Sequence, residues 1–473
     1  MATKGSDTTK KRPQLLLWLF TFLSLILRSR THTDLCDQVQ PPVYCTCDVI
    51  SRENTATCYI ISRIQTDDSF WTSFEYSDVV SLNFRSYGDA VHLTFIPSDA
   101  VQKMSYLRTL SITEASLGTL KSNAIADLKS LRDLELERNE ITGLERDAIT
   151  RLPKLKKLAL SENSLQELLA ESLTELLELE QLFLDRNNIS RIESCAFCEL
   201  QNLKELELWG NQITDLTEYT FRGLRYLKRL DLYKNQIQIL NDKIFQSMPN
   251  LLEIDLKNNL IHYISRTAFA GLDKLQRLML NSNKIKMLHD EVFKPLSSLR
   301  SVDLYNNELE LIQVQVVENM ANAKEEQFSF TLKENPFKCD CGLLWVKIYM
   351  KEVKSPLFLR ELKEMQCSNT EEKNSTLEIV HLLDLECSEI SSTTKSRSMV
   401  TTSRSSIETT KQVPVQLQKS NKTSDIDNVY FSDDDDENSR YPGRSSCIAS
   451  CYWTIFIVML NLEFLRYHQK TYS

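Results

Sequence analysis

The most reactive spacing in the chain is Cys195-Ala196-Phe197-Cys198. A C-x-x-C unit can cycle as a dithiol redox pair or supply half of a zinc site. Neither chemistry finds its partners here. Zinc needs a second cysteine or histidine pair, and the six histidines, His32, His92, His262, His289, His381 and His468, are scattered along the chain. Dithiol cycling needs a strand-to-helix turn that the surrounding pattern does not offer. A local Cys195–Cys198 disulfide is therefore expected, with an intermolecular bond as the alternative. No serine or cysteine nucleophile stands in a catalytic motif, and the nine glycines form no phosphate-cradling loop. The chain reads as a non-enzyme, with no metal and no cofactor. What remains is noncovalent recognition: Trp209 and Tyr233 stand beside Glu207, Asp231 and Asp255. Aromatics of this kind dominate interface energies while charges steer the encounter.

These positions take their meaning from a repeat. Eight asparagines, Asn139, Asn163, Asn187, Asn211, Asn235, Asn259, Asn283 and Asn307, recur every 24 residues, nearly every one within an L-x-x-L-x-L-x-x-N-x-[IL] unit. Leu107, Leu110 and Ile112 keep the register with Ala115 at the asparagine position, which makes about nine repeats. An apolar strand near Val79 to Phe84 is expected to cap them. The L-x-L core alternates as a strand with one buried face does, so the strands should stack into a parallel sheet. One such unit cannot bury its apolar face alone and must stack on neighbours. Phe197, Phe221, Phe245, Phe269 and Phe293 recur at the same interval and should form a spine behind the sheet. Inward asparagines should bond backbone groups that the turn leaves unpaired.

Outward strand positions then form columns. One reads Glu135, Ala159, Phe183, Glu207, Asp231, Asp255, Met279, Asp303; the next reads Glu137, Ser161, Asp185, Trp209, Tyr233, Lys257, Asn281, Tyr305. The expected ligand surface is Phe183, Glu207, Trp209, Asp231, Tyr233, Asp255, Lys257 and Tyr305, with Trp209 and Tyr233 exposed. An acidic strip beside an aromatic anchor suits a protein or glycan ligand of some basic character rather than nucleic acid.

Twelve cysteines in a chain with an apolar leader point to an oxidising compartment. Residues 1–30 carry Lys10, Lys11 and Arg12 before the apolar run Leu15 to Leu27, which fits a secretory signal. Cys36, Cys45, Cys47 and Cys58 precede the repeats, while Cys339, Cys341, Cys367 and Cys387 follow them. Both ends of a stacked core would otherwise face water, so disulfide-closed caps are expected at 34–75 and 331–388, flanking repeats at 76–330. Four cysteines in a cap allow three connectivities.

The amino cap, and more closely Asn335-Pro336-Phe337-Lys338-Cys339-Asp340-Cys341-Gly342-Leu343-Leu344-Trp345, resemble the flanks of extracellular leucine-rich repeat proteins. The group includes Slit, Nogo-receptor and variable lymphocyte receptor ectodomains. The resemblance implies an α/β solenoid: a curved horseshoe with a parallel β-sheet on its concave face and disulfide caps at both ends. It also implies the pairs Cys36–Cys47, Cys45–Cys58, Cys339–Cys367 and Cys341–Cys387.

Residues 389–446 turn to serine, threonine and acidic residues with no apolar period, which reads as a disordered stalk. Sequons stand at Asn188, Asn374 and Asn421, and Tyr430 lies in an acidic block as a candidate for sulfation. In 447–473, the apolar run Ile448 to Leu465 would span about 27 Å as a helix. It suits a membrane anchor, either a spanning helix or a lipid-anchor signal. The expectation is a tethered cell-surface receptor of immune recognition, signalling through a co-receptor or clustering, with oligomeric state open. The alternative is an adhesion or guidance receptor for another animal protein.

Overall fold

The computed structural model describes residues 35, 41–48, 54–74, 78–86, 93–320, 325–339, 341–368 and 376–378. The expected signal segment, stalk and anchor lie outside them, as do Cys36, Cys387, Asn374, Asn421 and Tyr430. Among the described residues no helix is long and apolar enough to cross a membrane.

The chain winds into a parallel-strand solenoid carried by one thirteen-stranded sheet. In chain order its strands are β1 (Val43–Asp48), β2 (Thr55–Ile60), β3 (Ser81–Ser86), β4 (Thr109–Thr113), β5 (Asp133–Glu135), β6 (Lys157–Ala159), β7 (Gln181–Phe183), β8 (Glu205–Glu207), β9 (Arg229–Asp231), β10 (Glu253–Asp255), β11 (Arg277–Met279), β12 (Ser301–Asp303) and β13 (Ser329–Thr331). Strands β4 to β12 are the nine turns of the sequence pattern. β3, read as a cap, pairs in parallel with β4, and β13 pairs in parallel with β12, so eleven turns stack without a break. Their inward residues Leu134, Leu158, Leu182, Leu206, Leu230, Ile254, Leu278 and Val302 are at most 1% exposed.

The asparagine of each turn closes the space between turns. Asn211 Oδ1 accepts from Ile189 N at 3.0 Å, and Asn211 Nδ2 donates to Leu184 O at 3.0 Å and Leu208 O at 2.9 Å. The same three bonds recur at Asn163, Asn187, Asn235, Asn259, Asn283 and Asn307. They continue at Asn335, which takes Leu309 N at 3.0 Å and donates to Leu304 O at 2.9 Å and Leu332 O at 2.8 Å. The sequence period hides this ninth member, because the last turn is four residues longer and holds the short helix α1 (Val314–Glu318). Phe330-x-Leu332-x-x-Asn335 was the readable signal.

Behind the sheet, Phe197, Phe221, Phe245, Phe269 and Phe293 are fully buried. Neighbouring rings from Phe221 to Phe293 stack at 6.0–6.3 Å between centroids. The equivalent positions of the three preceding turns are Ile125, Ile149 and Leu173, which lie in short return strands paired in parallel. The Cys195–Cys198 disulfide sits where this strand-backed half gives way to the phenylalanine half. Gly223 packs against it: a Cβ there would meet Cys198 Cα and O at 2.7 Å, at φ +101°, so only glycine fits.

Both ends are sealed. At the amino end β1 and β2 form an antiparallel pair with Cys45 opposite Cys58 and bonded to it, above a cluster of Phe70, Trp71, Phe74 and Phe84. At the carboxyl end Tyr349 of α2 (Trp345–Tyr349) packs on Phe358 of α3 (Pro356–Glu364), and α3 covers β13 with Phe358 against Phe328 and Phe330. Cys339–Cys367 closes this end, and Trp345 Nε1 donates to Ile312 O at 3.0 Å. Cys47 and Cys341 are also disulfide-bonded, to partners outside the described residues. Three bonds of this kind in the described residues fit an oxidising compartment.

Candidate functional site

Strand register sets the candidate surface. Phe183 pairs with Glu207, Glu207 with Asp231, and Asp231 with Asp255, so the first column is continuous across β7 to β10. Trp209, Tyr233 and Lys257 follow two residues beyond the ends of β8, β9 and β10. Tyr305, though 41% exposed, stands three turns from Tyr233, about 14 Å away at strand spacing. It does not join the patch.

The aromatic pair departs from expectation. Trp209 and Tyr233 are adjacent, with ring centroids 6.2 Å apart, yet both are half-buried rather than exposed. The Arg186 guanidinium lies 4.5 Å from the Trp209 ring centre, and Lys257 Nζ lies 5.2 Å from that of Tyr233. Cation, ring, ring and cation thus form one row across four turns. Each outer cation is itself held: Arg186 pairs with Glu162 at 2.7 Å, and Lys257 with Asp255 at 2.9 Å. Asp255 is only 8% exposed, so it orients Lys257 instead of facing a ligand. Cation–π contacts of this sort hold the rings in place.

Sequence reasoning missed Arg186. It lies outside both columns, in the turn before Asn187, where Arg138, Glu162, Arg186, Lys234, Asn258, Ser282 and Asn306 all adopt left-handed φ of 51–57°. The alternation Arg138, Glu162, Arg186 at 24-residue intervals was its signal, and the structure turns it into a chain of ion pairs, with Arg138 Nε 2.9 Å from Glu162. A third outward column was also missed: Lys157, Glu205, Arg229, Glu253 and Arg277. Arg229 bridges Glu205 at 2.7 Å and Glu253 at 3.9 Å, Arg277 pairs with Glu253, and Lys157 pairs with Glu135 at 2.7 Å. The charges of this column are satisfied by one another and by Glu135 of the first column.

Two carboxyls near the rings are poised differently from ordinary acids. Burial, then the nearby Asp185, Glu205 and Asp231, push Glu207 up to about 7. Burial raises Asp231 to about 6, against the opposing hydrogen bond from Tyr233 N. Between pH 4.5 and 7 the folded state holds a proton on Glu207 that the unfolded chain releases, so stability falls as pH rises through this window. Glu207→Gln should therefore stabilise by about 1–3 kcal/mol at pH 8 and by little at pH 4.5. Denaturant melts at the two pH values measure this, and an equal shift at both would refute it. Among the described residues no group of three His, Cys, Asp or Glu could hold a metal ion.

Leucine rich repeat profiles match residues 89–141, 130–189, 201–261, 225–285 and 273–322, and a two-copy leucine rich repeat profile matches 178–220. No curated protein matches the chain. Among solved structures the chain is similar to that of the TLR13-ssRNA13 complex, with TM-score 0.43 and 21% identity over 67% of this chain and 51% of that one. It is also similar to that of the Drosophila Toll - Spatzle complex, with TM-score 0.47 and 19% identity over 63% of this chain and 43% of that one. The chain thus spans about half the length of these structures or less.

Proposed function

We propose, from the premise that this chain is a member of the leucine rich repeat family, that it is a tethered extracellular receptor that captures a protein or glycan ligand on the concave sheet. The observation that carries this reading is the Trp209–Tyr233 pair, fixed between Arg186 and Lys257 and bordered by Glu207 and Asp231. Rings already ordered lose little freedom on binding, which is where hot spots draw their energy. A cationic group on the ligand would meet Glu207 and Asp231 as carboxylates above pH 7 and as partly protonated acids near pH 6. Affinity for a basic partner should fall on acidification. The expected setting is host defence, in keeping with capped repeats, a hydroxyl-rich stalk and an apolar carboxyl segment.

The test is binding of the tagged chain to a panel of microbial surfaces and, in parallel, to animal cells. Trp209→Ala with Tyr233→Ala should weaken saturable binding by more than about 2 kcal/mol. Unchanged affinity in a folded double variant would move the site off this patch. Binding confined to animal cells would replace host defence with adhesion or guidance.

A further inference from the structure

A second surface lies on the edge of the sheet where each strand begins, away from the aromatic patch. Arg108, Arg132 and Lys156 occupy the same position of successive turns. Their backbones are locked together: Arg108 O accepts from Arg132 N at 2.7 Å, and Arg132 O accepts from Lys156 N at 2.7 Å. Side chains at this position therefore project one per turn, about 4.8 Å apart. Lys204 and Lys228 continue the row. Its one acid, Glu180, is already clamped by Lys156 at 3.5 Å and Lys204 at 2.7 Å. From Arg108 to Lys228 the row covers five intervals, about 24 Å.

The amino-terminal end of this row is hollow. Val80, Ser105, Tyr106, Arg108, Ser130, Arg132 and Lys154 line a cleft of about 150 Å³. Arg108, Arg132 and Lys154 are exposed, and among the described residues their side chains form no ion pair or hydrogen bond. That contrasts with the paired arginines at 138, 151, 186, 229 and 277. Three free cations converging on one cleft are costly through mutual repulsion, and the more notable in a chain of net charge −9. A cleft near the other end of the array, which holds Arg300 and Lys354, also contains Glu325 and Glu326 and so cancels its own charge. Tyr106, 65% exposed, stands beside the cations and offers a flat apolar face.

We propose that this edge binds a linear sulfated polysaccharide, with Arg108, Arg132 and Lys154 gripping one sulfate or carboxylate cluster, Tyr106 against a sugar ring, and Lys204 and Lys228 tracking the chain beyond. Three observations favour this class. The cations recur at the turn interval along one row, interrupted only by Glu180, which suits a regularly charged linear polymer that can follow the arc. The free charges come with hydroxyls and an aromatic face instead of an apolar pocket. The disulfides place the chain in an oxidising compartment, where sulfated polysaccharide is the abundant linear polyanion.

The experiment uses the full chain and a heparin-derived octasaccharide as probe, titrated at several salt concentrations. Saturable binding is expected, weakening with salt as ion release demands. Arg108→Gln, Arg132→Gln and Lys154→Gln together should lower affinity at least about tenfold and flatten the log–log salt slope by about 2. A control changing three exposed cations elsewhere, Arg222, Lys243 and Lys363, to glutamine should leave both quantities unchanged, with thermal melts confirming that both variants fold. Equal loss in the control would overturn the proposal by showing diffuse charge attraction. Equal or tighter binding of polyglutamate of matched charge would overturn the sugar assignment in favour of an acidic peptide.

Discussion

Asn235→Ala is expected to lower folding stability by about 3–5 kcal/mol, although the side chain touches no ligand surface. The buried amide satisfies three main-chain groups on two successive turns: Ile213 N at 3.0 Å and Leu208 O at 3.0 Å on the preceding turn, and Leu232 O at 3.1 Å on its own. Alanine leaves the Ile213 N–H without a partner in an apolar interior, which costs about 1–3 kcal/mol. Leu208 C=O keeps only the donation from Asn211 Nδ2 and Leu232 C=O only that from Asn259 Nδ2, two lost hydrogen bonds at about 0.5–1.5 kcal/mol each. Asn235→Asp is a sharper probe. It keeps the acceptor, loses both donations and brings a charge into the core, so it should be at least as damaging at neutral pH. Because each repeat depends mainly on its neighbours, a break at this central turn should also weaken the coupling between the two halves. Urea unfolding followed by circular dichroism reads both effects. A midpoint shift worth less than about 1 kcal/mol would mean that water replaces the amide and that the ladder contributes little.

Phe245→Ala should cost about 3–5 kcal/mol by a different route. This ring is fully buried and stacks on Phe221 at 6.2 Å and on Phe269 at 6.0 Å, nearly parallel to the latter at 6°. Removing it opens a cavity and ends both ring contacts, each worth about 0.5–1.5 kcal/mol beyond area. Leucine, which occupies the equivalent position at Leu173, should recover much of the loss. A double-mutant cycle with Phe269→Leu isolates the stacking contribution. Additive losses would show that the spine acts by volume alone.

These two predictions rest on features that the sequence displays openly, because they repeat. The interval of 24 residues placed every ladder asparagine from Asn139 to Asn307, every spine phenylalanine and both outward columns. Periodicity reports a position's shared environment, however, and not what is particular to one turn. The burial of Trp209 and Tyr233 depends on the reach of Arg186 and Lys257 from neighbouring turns, a matter of rotamer and turn geometry. Asp255 shares its column with Glu207 and Asp231 but is buried, because Lys257 folds onto it. Asn335 broke the interval and was lost with it. Of the disulfide pairs implied by resemblance, Cys45–Cys58 and Cys339–Cys367 are present. The CxxC pair at Cys195 and Cys198 closes on itself, which leaves the intermolecular alternative without a free thiol.

The phenylalanine stack also acts as a wedge. Successive turns advance 6.0–6.3 Å along the spine, while strands in a sheet advance about 4.8 Å. Over a layer about 10 Å deep, that mismatch bends the stack on the order of 8° per turn toward the sheet. Above the strands the spacing must shrink further, so outward side chains of adjacent turns crowd together at their tips. A rigid, straight partner would touch such a surface at few turns. One that is convex, or that can bend to the same arc, would meet Phe183, Trp209 and Tyr233 at once, which makes curvature itself a filter on what this surface can hold.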